Sequence, residues 1–269
     1  MGAFSVKSYN QPRRDQRQRI IKAARDLQMM VVPEGGSTYY FNMGHVLDGH
    51  TGIEHAIPVA PLYKDAITLL AKSGSGYTPT LIVGYGGVWG ENYWYQHSNV
   101  WENEKLLRFT PRRIIDERAR RRLMVPEEDF YHFELSKSVK DVVRAGGRVQ
   151  LGAHGQIQGL GAHWELWMLG QGGMTPHEAL RAATLHGAAY LGLDADLGSL
   201  EPGKLADLII LDKNPLENLR HSESITHVMI GGVLYDTRNM DEVYPVERKR
   251  TPFFWERRGE APTEGAAQD

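Results

Sequence analysis

Short apolar runs alternate with segments of helical periodicity through the first two thirds of the chain. Strands are predicted at Ala3–Ser8, Met29–Pro33, Gly52–Ile57, Tyr77–Gly84 and Arg148–Ala153. Helices are predicted between them, for example at Pro12–Gln28, where apolar residues recur every three or four positions, and at Tyr63–Lys72. This alternation predicts parallel β-α units in an α/β fold.

The last third of the chain predicts two capped helices followed by a β-rich region. Thr175–Glu178 has a cap residue, a proline and an acid in the order typical of a helix start. A second short helix is predicted from Thr184 to Gly192. Ala206–Leu211 predicts a strand, and Ile225–Tyr235 predicts a hairpin that turns at two consecutive glycines.

Polar residues follow the predicted strands. These strand-end residues are Lys7, Glu34, His55, Tyr85 and His154. In parallel β-α units the chemistry lies at the carboxyl ends of the strands, so we expect these side chains to share one cavity. Taken alone, Lys7 is also compatible with a surface lysine and Glu34 with a turn acid. His163 and Glu165 either lie at the mouth of the same site or hold the following loop by hydrogen bonds.

A long insertion separates the fourth and fifth predicted strands. It has about sixty residues, far more than a normal βα connection, and it begins with an aromatic stretch, Gly86–Trp101. We interpret it as a lid or substrate wall, with Tyr85, Trp89 and Tyr93 as substrate-binding residues. The alternatives are a surface loop packed on its own aromatic rings, or a carbohydrate- or peptide-binding surface.

Composition narrows the function classes. The chain has 269 residues, of which 41% are hydrophobic and 24% charged, which is typical of a globular protein. A formal charge of −2 provides no general attraction for nucleic acid or membrane, and the basic run Arg112–Leu123 is interpreted as a solvated helix face. The absence of cysteine excludes disulfides and thiolate metal sites. No apolar run is long enough for a membrane-spanning helix, and the N-terminus has no signal-peptide core.

Two segments, Ala179–Leu193 and Gly198–Asp212, resemble the C-terminal end of the amidohydrolase superfamily. Residues 152–168, GAHGQIQGLGAHWELWM, resemble the exported amidohydrolase-related proteins that are often joined to a Tol-type β-propeller. The resemblance implies a partial (β/α)8 TIM-type barrel, with its last five β-α units at residues 1–195. It also implies part of a small β-sandwich at 196–250 and a flexible tail at 251–269. The implied function is hydrolysis of carbon–nitrogen bonds by a metal-activated water.

The resemblance also implies roles for individual residues. Lys7 resembles the lysine of the fourth barrel strand, and His55 resembles the histidine of the sixth. Glu34 stands where a fifth-strand histidine is expected, and His154 where an eighth-strand aspartate is expected. The implied metal ligands are therefore Lys7, Glu34, His55 and His154, and the implied catalytic residues are His154, His163 and Glu165. The implied cofactor is one or two divalent ions, with zinc the first choice and manganese or iron the alternatives.

Part of the family pattern is missing. No His-x-His motif occurs in the chain, and the first three barrel strands have no counterpart. We therefore expect an N-terminally truncated piece of a longer multidomain protein that is inactive alone and poorly soluble or homo-oligomeric. The resemblance is compatible with an exported or periplasmic parent protein, and the sequence of this chain does not assign a localisation. The expected partner is a small-molecule substrate. The alternative is a non-catalytic, degenerate barrel that serves as a binding or scaffold module.

Overall fold

The computed structural model describes residues 2–9 and 11–257, and the structural statements below concern these residues. The strands are β1 (Ser5–Ser8), β2 (Met30–Pro33), β3 (Gly52–Glu54), β4 (Gly76–Thr78), β5 (Arg148–Val149), β6 (Leu208–Leu211), β7 (Ile225–Ile230), β8 (Val233–Asp236) and β9 (Glu242–Tyr244). The helices are α1 (Arg14–Asp26), α2 (Tyr39–Asp48), α3 (Lys64–Ser73), α4 (Gly90–His97), α5 (Glu104–Phe109), α6 (Arg112–Arg120), α7 (His132–Arg144), α8 (Leu160–Gln171), α9 (Pro176–Ala183), α10 (Leu185–Leu191) and α11 (Phe254–Arg257). Of the tail expected to be flexible, 251–269, residues 258–269 lie outside the described residues.

Five parallel strands follow one another in chain order. β1 pairs with β2, and β3, β4 and β5 form a second parallel group. Two backbone hydrogen bonds join the groups: Thr51 donates to Val31 at 3.0 Å, and Gly35 donates to Glu54 at 2.8 Å. The predicted α/β class with parallel β-α units is therefore confirmed, and the carboxyl ends of the five strands point the same way.

The fourth strand is shorter than predicted, and the assignment Tyr77–Gly84 is wrong beyond Thr78. Pro79 follows and has no backbone N–H to donate to a neighbouring strand. The chain then forms a 3-10 turn at Leu81–Val83. The first two amides of this turn are bound by the Glu165 carboxylate, at 2.8 and 2.9 Å, instead of by a strand.

The fifth strand is also shorter, because the chain leaves the sheet after Gln150. The amide of Gln150 still donates to Tyr77 at 3.1 Å, but the amide of Leu151 donates to Ala182 in α9 at 3.2 Å. The predicted strand Arg148–Ala153 therefore contains only Arg148–Val149 in the sheet. The remaining residues form the loop that carries His154.

The main hydrophobic core lies between β3–β5 and the helices packed on them, including α3, α7, α8 and α9. Its centre is formed by fully buried residues such as Ile53 and Val149. A smaller, separate cluster lies under α1 and contains Ile21, Ala24 and Val31. The two parts are connected by a buried ion pair, in which Arg17 Nε of α1 lies 2.7 Å from Asp48 Oδ2 of α2.

The insertion between β4 and β5 is largely helical, comprising α4, α5 and α6. Two of its aromatic rings pack inward: Trp94 and Tyr95 are buried and contact Trp164 of α8. In the basic helix α6, Ile115 and Ala119 are buried, whereas Ile114 and the following Leu123 are exposed, so the run presents mostly a solvated face as predicted. In the described ranges, no helix combines the length and apolar character needed to cross a membrane.

The C-terminal region forms a four-stranded antiparallel sheet in the order β6-β7-β8-β9. The predicted hairpin is confirmed, since Ile230 pairs with Val233 across the two glycines. Gly231 and Gly232 have φ angles of 55° and 82°, a region that glycine enters without strain. The predicted capping box is also confirmed, with the Thr175 hydroxyl accepting from the Glu178 amide at 3.2 Å and the Glu178 carboxylate accepting from the Thr175 amide at 2.8 Å.

Candidate active site

Three of the predicted strand-end residues form a continuous polar cluster. Lys7 Nζ lies 2.6 Å from one oxygen of Glu34. The other Glu34 oxygen lies 3.3 Å from His55 Nε2. Their positions follow from the parallel order of the strands, because Lys7 is in β1, Glu34 directly follows β2 and His55 directly follows β3.

The charges in this cluster depend on one another. Burial alone would raise the pKa of Glu34, but the Lys7 ammonium and His55 outweigh burial and hold that pKa below its ordinary value. Burial lowers the pKa of His55, against the attraction of Glu34, so its imidazole is neutral at neutral pH. Since the Glu34 carboxylate can only accept, His55 Nε2 carries the proton. His55 Nδ1 then holds the lone pair, and this atom is buried without a hydrogen-bond partner among the described residues.

His154 and Tyr85 complete the cluster. The centroid of the His55 ring lies 5.0 Å from that of His154 and 5.2 Å from that of Tyr85. His55 and His154 both have left-handed backbones, with φ of 72° and 54°. This conformation is uncommon outside glycine and is found preferentially at functional sites, so the shared strain supports a site at these positions. The structure thus brings Lys7, Glu34, His55 and His154 together, while their roles stay predictions.

The insertion reaches His154 through two residues that sequence reasoning missed. Gln156 Oε1 lies 3.0 Å from His154 Nδ1, and Gln156 Nε2 donates to Glu91 Oε1 of α4 at 3.1 Å. Glu91 and Gln156 also line a cavity of about 350 Å³ beside His154. Its other walls are Trp89, Asn92, Tyr95, Glu117, Arg118 and Arg121. The close sequence spacing of His154 and Gln156 was the available signal, but Glu91 is 65 residues away.

His163 and Glu165 have their hydrogen-bond partners elsewhere, which corrects their placement at the mouth of the site. Glu165 is fully buried in α8 and binds the backbone of the 3-10 turn after β4. Burial raises its pKa to about 8, although the two backbone N–H groups oppose that shift. His163 Nδ1 lies 2.9 Å from Ser222 Oγ, beside the C-terminal segment. Glu165 therefore holds the turn after β4, and not the loop after β5 that the alternative named.

The three predicted substrate-binding aromatics are in different surroundings. Tyr85 lies against His55, as described. Trp89 is 47% exposed and borders the cavity lined by Glu91 and Gln156. Tyr93 stacks on His97 with a centroid distance of 4.1 Å and contacts Phe130, so internal packing accounts for its ring. The insertion therefore has one exposed candidate for substrate contact, Trp89, rather than an aromatic wall.

The geometry offers donors for a metal but not a complete ligand set. His55 Nδ1 is an orphaned buried nitrogen, which fits a ligand. Both oxygens of Glu34, however, are engaged by Lys7 and His55, and Lys7 is ion-paired. Across residues 2–9 and 11–257, no three or more His, Cys, Asp or Glu side chains converge in a way that could hold a metal ion. The residues present, as arranged, do not fit a metal site on their own.

Glu54, the residue before His55, has a structural role. It does not contact the His55 ring; instead its carboxylate accepts from the Tyr190 hydroxyl of α10 at 3.2 Å. The carboxylate next to His55 Nε2 is that of Glu34, which lies at the end of a different strand. This agrees with the expectation that Glu54, next to His55 in sequence, faces away from it.

The amidohydrolase family model matches residues 14–235 of the chain. The chain belongs to the amidohydrolase family. The match spans β2 to β8 and includes Glu34, His55 and His154, so the cluster lies within the part of the chain that defines the membership. Lys7 lies before the matched region.

Individual relatives are similar over limited lengths. Ochratoxinase from Aspergillus niger is 36% identical over 103 residues, which cover 37% of this chain and 22% of that protein. Guanine deaminase from Escherichia coli is 33% identical over 101 residues, covering 36% and 23%. The crystal structure of a Xaa-Pro dipeptidase superposes with a TM-score of 0.63 at 22% identity, covering 87% of this chain and 55% of that one. The chain thus spans about half the length of this solved relative and shares the fold of that half.

Proposed function

We propose that the chain is part of a hydrolase acting on carbon–nitrogen bonds, with its active site at Lys7, Glu34, His55 and His154. The observation that carries the proposal is the convergence of these four side chains at the carboxyl ends of parallel strands in an amidohydrolase-family chain. Relatives with the names guanine deaminase and Xaa-Pro dipeptidase support the bond type. Amides of amino acids and dipeptides are the proposed substrate class.

The cluster suits this chemistry without rearrangement of its charges. His154 is exposed, so it can take a proton from an attacking water. The half-exposed Lys7 ammonium places a positive charge where the amide oxygen becomes negative in the transition state. Glu34 holds Lys7 and His55 in fixed positions by binding both. Tyr85 and Trp89 are the proposed contacts for the substrate's remaining groups.

We also propose a divalent metal ion, with zinc as the first choice. This part of the proposal rests on membership of the amidohydrolase family and not on the geometry of the cluster. His55, through its unpartnered Nδ1, and the exposed His154 are the donors that this chain would contribute, while Glu34 and Lys7 would first have to leave their ion pair. Further ligands would have to come from outside the described residues. For the same reason we propose that this chain alone has little or no activity.

The wider architecture is proposed on the same basis. The sequential order of β1 to β5 supports a five-unit part of a (β/α)8 barrel at residues 1–195. The antiparallel sheet β6–β9 supports one layer of a β-sandwich at 196–250. The outer edges of β1 and β5 have no strand neighbours among the described residues. Such edges favour pairing with further strands, from a longer chain or from another subunit.

The test is a hydrolysis assay on the complete gene product and on this 269-residue chain. N-acyl amino acids and dipeptides serve as substrates, with and without chelator and with zinc or manganese added back. We expect the complete product to hydrolyse at least one amide, to lose activity to chelator and to exceed the isolated chain at least about 100-fold. A complete product that hydrolyses none of the panel in any metal would argue for the non-catalytic alternative.

A further inference from the structure

We infer that Glu91 is a positioning residue that fixes His154 as its Nδ1–H tautomer and leaves the Nε2 lone pair free. The inference deepens the proposed function, since it says which nitrogen of His154 can accept a proton or bind a ligand there. It rests on the proposed function only for that role. The tautomer itself is a property of the chain that can be measured without substrate.

Two hydrogen bonds fix the orientation of the Gln156 amide. A glutamine amide has one donor end and one acceptor end. An ionised carboxylate only accepts, so Gln156 must present its nitrogen to Glu91, at 3.1 Å. The amide oxygen of Gln156 therefore faces His154 Nδ1, at 3.0 Å, and that contact requires a proton on Nδ1. A neutral imidazole carries one N–H, so Nε2 is unprotonated.

The surroundings of Glu91 support its acceptor role. It is the second residue of α4, where the helix dipole favours a negative charge. Burial raises the pKa of Glu91 above its ordinary value; the Gln156 amide and Arg118 of α6, whose Nη1 lies 3.9 Å from the second carboxylate oxygen, oppose that rise. Glu91 is 9% exposed, so its geometry is held by packing. The insertion thus acts on a strand-end histidine that it does not touch directly.

Free histidine side chains prefer the opposite tautomer, with the proton on Nε2, which makes the inference easy to test. The measurement is the nitrogen-15 spectrum of the imidazole rings in the uniformly labelled chain at mildly alkaline pH, where imidazoles are neutral. The His154 signals are identified by their loss in His154→Gln. We expect an excess of the Nδ1–H form of at least about tenfold, consistent with the hydrogen bond that the Nδ1–H group donates to the Gln156 amide oxygen.

Two variants separate positioning from a general structural effect. Glu91→Gln keeps the shape of the side chain, but its amide can face Gln156 with either its oxygen or its nitrogen. The excess of the Nδ1–H form of His154 over the Nε2–H form should therefore fall below about twofold. Gln156→Met removes the connection and should have the same effect. Glu117→Gln is the matched control, because Glu117 lines the same cavity but pairs with Arg113 at 3.5 Å. It should leave the tautomer unchanged.

The outcomes are separable from those of the activity assay. A predominantly Nε2–H His154 in the wild-type chain would overturn the inference. An unchanged Nδ1–H excess in Glu91→Gln would also overturn it, because the carboxylate would then not set the amide. If the tautomer is as inferred but the complete gene product hydrolyses no amide, the proposed function fails and the positioning by Glu91 stands.

Discussion

Replacing Glu165 is predicted to destabilise the fold more than any change at the proposed active site. Its two oxygens accept from the amides of Leu81 and Ile82 at 2.8 and 2.9 Å, and the side chain is fully buried. Glu165→Ala leaves both amides without an acceptor. Each buried, unsatisfied group costs about 1–3 kcal/mol, so the free energy of unfolding should fall by about 2–6 kcal/mol. That is a large share of a typical stability of about 5–15 kcal/mol.

The matched control is Glu165→Gln. Its oxygen can still accept from one amide, while its NH₂ group faces the other, so we expect roughly half of the loss. The assay is urea unfolding at about pH 4, where ionisation of Glu165 in the unfolded chain does not offset these losses. Unfolding is followed by tryptophan fluorescence and circular dichroism, with the midpoint and slope compared among the three proteins. Similar slopes are needed for the midpoints to report stability.

The same residue makes a prediction about pH. Burial raises the pKa of Glu165 to about 8, from 4.5 in the unfolded chain. A raised acid pKa means that its stabilising contribution is complete below about pH 4.5 and is lost as pH rises through 8. Wild type should therefore lose stability relative to Glu165→Gln between pH 5 and 9, by roughly 5 kcal/mol at most. A pH-independent difference, or a Glu165→Ala midpoint equal to wild type, would refute the reasoning.

Two further predictions concern packing around the sheet. Arg17→Ala should lower the free energy of unfolding by about 3–5 kcal/mol, because it leaves the Asp48 carboxylate buried without its buried partner. Arg14→Ala removes an exposed partner of the same carboxylate and should cost less than about 1 kcal/mol. Equal costs in urea unfolding would contradict this ranking. Gly52→Ala should cost about 1–3 kcal/mol, because the added methyl would overlap the Tyr190 ring; an unchanged thermal midpoint would show that α10 moves freely.

Local signals made parts of the fold predictable. The capping box at Thr175 and the glycine turn of the β7–β8 hairpin depend on residues a few positions apart, and both are confirmed. The strand-end residues Lys7, Glu34 and His55 were also found from sequence. Each follows a short apolar strand, and parallel strands place such residues at one edge of the sheet.

The remaining features depend on contacts between distant residues. The fourth strand ends at Thr78 because Pro79 has no N–H to donate, and the amides of the turn that follows are bound by Glu165, 84 residues after Leu81. The apolar sequence of Leu81–Val83 is equally compatible with a strand, so periodicity could not show the turn. Likewise, no local pattern relates Glu91 to His154. The left-handed backbones of His55 and His154 are held by the tertiary structure and have no signal in the local sequence pattern.

The most direct test of the proposed active site is the change of His55 to alanine in the complete gene product. The ring contacts Glu34, Tyr85 and His154, so its loss removes the centre of the cluster. His177→Ala, at an exposed position in α9, is the matched control. We predict that His55→Ala lowers kcat/KM for amide hydrolysis at least about 100-fold, or about 2.7 kcal/mol, and lowers metal content, with unchanged circular dichroism. A His55→Ala protein with full activity and full metal content would contradict the assignment.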